Sequence, residues 1–236
     1  MSLARRASAE FTGTALLVTA VVGSGIAASR LSPHDPGLQL LENAIATGLA
    51  LGALILMFGP VSGAHFNPVV TAVEWWFVRP ALRGPVTYLI AQTAGAISGA
   101  VLADLMFGAP AVSWSTTVRS GGNLRLAEVV ATFGLVLLVT ALDRSGRASA
   151  APAAVGAYIG AAYWFTSSTS FANPAVTVGR AFTDTFAGIA PASVPGFVAA
   201  QIAGGMIAVA AIAWWYPGRL EADDVNRLER RSPVVN

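Results

Sequence analysis

Residues 62–76 read SGAHFNPVVTAVEWW, and residues 170–182 read SFANPAVTVGRAF. Each stretch carries an Asn-Pro pair, Asn67-Pro68 and Asn173-Pro174. Asparagine is among the best helix N-caps, and proline is favoured at the first helical position, where its missing N–H costs nothing. Each pair therefore reads as a helix start. About ten helix-compatible residues follow in each copy, NPVVTAVEWW and NPAVTVGRAF. Ten residues rise only ~15 Å, half of the ~30 Å hydrocarbon core of a bilayer. A re-entrant half-helix of that length is tolerated only where its irregular ends are buried in protein or line a water-filled cavity.

The rest of the chain supplies the membrane. Of 236 residues, 55% are hydrophobic and 11% charged, against about 25% charged in a soluble domain. Apolar stretches lie at about 9–28, 39–58, 85–107, 126–142, 150–169 and 194–216. Glycine and alanine fill them, as helices that pack closely in lipid require. The linkers at 30–37, 79–84, 110–125 and 143–149 are too short for a soluble domain. Arg5 and Arg6 ahead of an apolar run resemble a secretory signal. The spanning length of that run, Glu10 at its start and its recurrence later in the chain argue against cleavage. Cysteine is absent, which excludes disulfides and thiolate chemistry. Two histidines, His34 and His65, are too few for a histidine metal cluster. The 14 basic residues are all arginines, scattered between apolar runs and not gathered on one face, so a nucleic-acid partner is not expected despite the pI.

The chain repeats itself. AEFTGTALLV from Ala9 matches AEVVATFGLV from Ala127, FNPVVTAV from Phe66 matches ANPAVTVG from Ala172, and AQTAGAISGA from Ala91 matches AQIAGGMIAV from Ala200. The expected organisation is one domain over 1–236, with a first repeat at about 9–107, a second at about 126–216 and a charged tail at 217–236. Each repeat holds three spans, an odd number, so the second copy enters from the opposite side. Inverted repeats place a functional site near the midplane, between the halves. The fold class expected is an all-α membrane protein with six transmembrane helices and two re-entrant half-helices. With the N-terminus inside, Arg5, Arg6, Arg79, Arg83, Arg144, Arg147 and the four tail arginines are cytoplasmic, while Arg30, Arg119, Arg125 and Arg180 are external. That imbalance favours two cytoplasmic termini in a plasma membrane.

Two half-helix starts facing each other bring two positive dipole ends together. The Asn67 and Asn173 amides can offer N–H donors to a solute there, and a positive, donor-rich centre repels cations and interrupts proton conduction. A single Asn-Pro pair is usually an ordinary turn. Two in register within a membrane repeat are not.

This set of motifs resembles the aquaporin and aquaglyceroporin family, the major intrinsic proteins, over about residues 9–216. AEFTGT, SGAHFNPVVT, AQTAGAISGA, AEVVATFG, FANPAVTVGR and AQIAGG carry the resemblance. It implies a pore within each subunit, a homotetramer in the lipid bilayer and no cofactor. The run AYWFTSSTSFANPAVT is also similar to the subgroup encoded in bacterial arsenic-resistance operons. By the same resemblance, the pore midplane is formed by Asn67, Pro68, Val69, Asn173, Pro174 and Ala175. Glu10 and Glu128 are the buried glutamates that hold the re-entrant loops, Gln92 and Gln201 support those loops, and His65 lies at the cytoplasmic mouth. The outer filter maps to Thr47, Tyr163, Ser170 and Val176.

Two departures stand out. Val69 replaces the family's usual alanine in the first box, a small steric change. Val176 replaces the arginine that usually follows the second box. A valine there removes a fixed charge and several donors, which suggests a wide, neutral, weakly polar filter suited to glycerol, urea or arsenous acid, As(OH)3. Arg180, one turn further on, either hangs over the outer vestibule and partly replaces the missing arginine, or pairs with Asp184 or snorkels to the interface. Glu74 shares a face with Val70 and either lines the inner mouth or is solvated or ion-paired. Trp75, Trp76, Trp214, Trp215 and Tyr216 read as interfacial anchors. The expected function is a passive channel for small uncharged solutes, and not an enzyme, since no nucleophile–base pair is visible. The alternatives are a water-selective or general polyol channel, or an ion-coupled transporter whose charged candidates are Glu10, Glu128 and Asp104.

Overall fold

A computed structural model describes residues 1–79 and 81–216. The charged tail expected at 217–236 lies outside the described residues. Those residues form eight α-helices joined by loops and short 3-10 turns. α1 (Leu3–Leu31), α2 (Pro36–Ser62), α4 (Arg83–Met106), α5 (Gly122–Arg144) and α8 (Val194–Trp215) are long and apolar enough to cross a membrane. α6 (Ala151–Phe165) is shorter. α3 (Pro68–Val78) and α7 (Pro174–Gly179) are the two half-helices.

Local chemistry sets the ends. Ser2 caps α1 and Asp35 caps α2, each by accepting from a backbone N–H in the first turn, with Pro36 at the start of α2. α2 ends on Gly63, left-handed at φ 91°, which a glycine adopts without strain. Asn67 and Asn173 cap α3 and α7 through their own Oδ1, with proline next in line.

Small residues bring the helices together. α1 lies against α4 and α5 against α8, the same pair in each repeat. A side chain at Gly95 or Gly99 would collide with the carbonyls of Phe11 and Ala15, and one at Gly204 with that of Val129. α2 crosses α6 through Gly48 and Gly156, each facing the other's backbone. In lipid such close backbone contact holds helices together, because burial of apolar surface no longer discriminates. The most apolar window of α1 is 56% buried against 22% for α2, which turns Leu38, Leu41, Ile45 and Leu49 outward.

Two elements differ from the sequence expectation. The fifth span, expected over 150–169, is helical only to Phe165. Its 15 residues rise ~22 Å, short of a full crossing. Thr166 turns extended and bonds back to the Ala162 carbonyl, and the chain up to Asn173 drops into the bundle to place the second box. The second half-helix is six residues long, not ten, and tightens into a 3-10 turn at Arg180–Phe182. Gly179 lies there against the Ala96 carbonyl, closing α7 onto α4.

Candidate functional site

The two Asn-Pro loops meet at the centre of the molecule. Asn67 Nδ2 donates to the Ala172 carbonyl at 2.7 Å, and Asn173 Nδ2 donates to the Phe66 carbonyl at 2.7 Å. Each asparagine thus ties itself to the residue preceding the other. Each Oδ1 is taken up by its own helix start, from Val69 N in one copy and from Ala175 N and Val176 N in the other. One N–H of each amide is committed across the junction, and the second remains for whatever occupies the space beside it.

Each loop reaches this junction through an unusual backbone. Ala64 and Phe66 in the first copy, and Thr169, Ser170 and Ala172 in the second, hold φ between 48° and 62°. Left-handed backbone at non-glycine residues costs ~1–3 kcal/mol each, and persists only where the surroundings enforce it. The glutamates do the enforcing. Glu10 accepts from Ser62 Oγ, His65 N, Phe66 N and Gln92 Nε2 at 2.6–3.0 Å. Glu128 accepts from Phe171 N, Ala172 N and Gln201 Nε2 at 2.6–2.9 Å. Gln92 also donates to Thr71 Oγ1, and Gln201 to Thr177 Oγ1; each threonine bonds back to the asparagine carbonyl of its own box. Both carboxylates and both glutamines are fully buried.

A cavity of about 950 Å³ runs along these loops. At the face carrying Met1 and the end of α8 it is lined by Arg6, His65, Glu74 and Asp143. It continues past Val70, Leu135 and Ile159, passes Asn67 and Asn173, and reaches Thr47, Tyr163, Ser170, Val176 and Arg180. The residues mapped to a filter from sequence are therefore on one wall system. Tyr163 Oη donates to Thr47 Oγ1 at 3.2 Å, which brings the second and fifth spanning helices together at this level. Ser170 Oγ is buried with no protein partner. Val176 offers only methyl groups.

Val69 fits its site for a reason the sequence did not reveal. Its Cγ1 occupies the space that a side chain on Gly205 of α8 would need. By the repeat register, Ala96 of α4 stands where Gly205 stands, and Ala175 where Val69 stands. The larger residue in one box is matched by the smaller one on the helix that faces it.

Arg180 neither pairs with Asp184 nor snorkels. It is 2% exposed. Its guanidinium carbon lies 3.4 Å from the centre of the Phe171 ring, and its Nε donates to the Ala187 carbonyl. Asp184 instead accepts from Thr116 N and Oγ1. Arg119, from the loop between α4 and α5, donates to the Gly188 and Phe186 carbonyls and so holds the segment that receives Arg180. Burial lowers the Arg119 pKa from its ordinary value, with the charge of Glu128 opposing.

At the other mouth, His65 Nε2 contacts Glu74 Oε2 at 2.5 Å and His65 Nδ1 faces Thr71 Oγ1 at 3.0 Å. Tyr88 stacks edge-on against the imidazole, accepts from Arg6 Nε and donates to the Ser62 carbonyl. Glu74 thus contacts His65 and lines the cavity at once.

These features agree with what the chain is similar to. The family described as Major intrinsic protein matches residues 1–172. The chain belongs to the major intrinsic protein family. It is 52% identical over 212 residues to "Aquaglyceroporin AqpS" of Rhizobium meliloti (strain 1021), with 90% of each chain covered. It is 29% identical over 241 residues to "Probable aquaporin AqpM" of Archaeoglobus fulgidus, covering 92% of this chain and 97% of that one. The solved aquaglyceroporin from Plasmodium falciparum shares the fold, with a TM-score of 0.71 at 20% identity over 94% of this chain and all of the other. Family membership makes this chain a membrane channel for small neutral solutes.

Sequence reasoning missed Phe171 and Arg119 as the seat of Arg180. A signal existed for part of this. Counted from each asparagine, Glu74 and Arg180 occupy the same position of the repeat, and so do His65 and Phe171. The contact across one pair predicts the contact across the other.

Proposed function

We propose that this chain is a passive aquaglyceroporin-like channel whose outer filter passes neutral polyol-like solutes: glycerol, arsenous acid, and also urea and water. The observation that carries the reading is the composition of the cavity beside the second box. Thr47, Tyr163, Ser170 and Val176 line it with hydroxyls and methyls, and the guanidinium is withdrawn one turn to Arg180. A neutral solute with several hydroxyls finds partners in Ser170 Oγ and the free asparagine N–H groups, and needs no counter-charge. Glu10 and Glu128 are occupied in holding the loops, and Asp104, buried in α4, accepts from Thr183 Oγ1 and does not line the cavity, which leaves an ion-coupled transporter without the mobile charges along the path that it needs.

In this reading the protein sits in a plasma membrane with both ends in the cytoplasm, as the arginine distribution favours. Four copies assemble as the family resemblance implies, each with its own pore. Arg180 partly replaces the missing filter arginine from its seat on Phe171.

The test is permeation of reconstituted vesicles by wild type and Val176→Arg. Wild type is expected to pass glycerol, urea and arsenous acid. The arginine variant narrows and charges the filter, and should lower glycerol and arsenous acid flux by about tenfold or more while retaining water. A wild type that passes only water, unchanged by the substitution, overturns the wide-filter reading.

A further inference from the structure

The cavity carries charge unevenly. Arg6, His65, Glu74 and Asp143 line it at the face of Met1 and the end of α8, where acids and bases mix, whereas Arg180 is the charged lining residue beyond the midplane. Arg180 has no acidic partner among the described residues. Its Nε is spent on the Ala187 carbonyl, and Nη1 and Nη2 donate to no described protein acceptor. One face of the guanidinium is covered by Phe171. What remains open is the edge formed by the two terminal nitrogens.

The surroundings reinforce that edge. Ser170, adjacent to Phe171, has a buried hydroxyl without a protein partner and lines the same cavity. Arg119 adds a second positive charge 5.2 Å from the Phe171 ring centre, locked to the Phe186 and Gly188 carbonyls. Glu128, the carboxylate whose charge reaches both arginines, points its oxygens at Phe171 N, Ala172 N and Gln201. A buried guanidinium with a free two-nitrogen edge is complementary to a planar group with two negative oxygens, which it binds through two parallel hydrogen bonds.

We propose that Arg180 and Ser170 form a binding site for small carboxylate monoanions in the vestibule opposite Met1. The inference takes the cavity as the conduction path proposed above, but its occupant is an anion that stops at the site and not a permeating solute. Beyond the site lie Val176 and the hydrogen-bonded pair Thr47 and Tyr163, which offer no charge, and at the far mouth lies Glu74. An anion held at Arg180 therefore sits in the path of neutral solutes entering from that side, and slows them.

The probe is formate, small enough to follow the cavity. Isothermal titration of sodium formate into the full-length detergent-solubilised protein, against sodium gluconate at matched ionic strength, reads binding without any need for flux. Wild type is expected to show saturable formate binding. Arg180→Gln should weaken it by about tenfold or more, and Arg180→Lys, which keeps the charge but loses the fork, should give an intermediate value. Absence of saturable binding in wild type, or equal binding in Arg180→Gln, overturns the site, and so does undiminished binding in Arg180→Lys, which would leave the fork without a role. Wild type answers by itself if a variant fails to fold. Failure here with wild-type glycerol flux intact removes the anion site and leaves the channel standing; loss of glycerol flux with formate binding retained does the reverse.

Discussion

The first Asn-Pro loop and the second are built on one plan up to the asparagine and diverge at their outer ends. Around the asparagines the two copies correspond residue for residue: a glutamate bound to loop amides, a glutamine bridging that glutamate to a threonine, and the threonine bonded to the asparagine carbonyl. At the mouths the same repeat positions carry opposite chemistry. One loop folds Glu74 back on His65, and the other folds Arg180 back on Phe171. The shared part builds the half-helix starts. The unlike part meets the solute first, from either side. In the proposed reading, symmetry marks what holds the pore open, and its breaking marks what selects.

The largest effect should come from the shared part. Glu10→Ala strands four donors and Glu128→Ala strands three. A buried donor left without a partner costs ~1–3 kcal/mol, and the left-handed residues next to each box lose the bonds that enforce them. Both variants should lose several kcal/mol of stability, read as a large drop in melting temperature in detergent. Glu10→Gln and Glu128→Gln should fall between them and wild type. A first loop that tolerates Glu10→Ala while the second collapses on Glu128→Ala would break the equivalence of the two copies.

Next come the mouths. Arg180→Ala opens the vestibule beside Val176 and should raise the flux of a four-carbon polyol relative to glycerol by about tenfold in vesicle swelling, because removing a large side chain weakens rejection by size. Glu74→Gln keeps size and hydrogen-bonding shape at a side chain that is half exposed, and should shift the same ratio less than about twofold. Equal shifts in the two variants would place selection at both ends and remove the contrast between the two mouths.

The sequence made the shared part legible because its parts are local or repeated. Asn-Pro reads as a helix start without any tertiary knowledge, and the offsets between copies expose the inversion. Thr47, Tyr163, Ser170 and Val176 could be placed in a filter by family resemblance. The unlike part depended on distant segments. Nothing near Arg180 announces that the Ala187 carbonyl will accept from it, or that Arg119, from the loop joining the two repeats, will fasten that segment. The end of α6 was hidden for another reason. Apolar residues run on through Trp164 and Phe165 into a hydroxyl-rich stretch, and composition cannot tell a helix end from a helix that continues.

The smallest predicted effect concerns the one place where the shared part is itself uneven. Val69 fills the space over Gly205, whereas the corresponding pair at the other box is Ala175 and Ala96. If volume has been exchanged between box and helix, the two positions must be energetically coupled. Val69→Ala should cost about 1 kcal/mol for the void it leaves. Gly205→Ala should cost more, because its Cβ has nowhere to go beside the Val69 methyl. The double variant recreates the alanine pair found at the other box and should be more stable than the sum of the single changes by about 1–2 kcal/mol, measured as a double-mutant cycle in detergent melts. Strict additivity would mean that Val69 is tolerated by looseness at the midplane, and a loosely packed midplane could not hold two asparagines 2.7 Å from the opposing carbonyls.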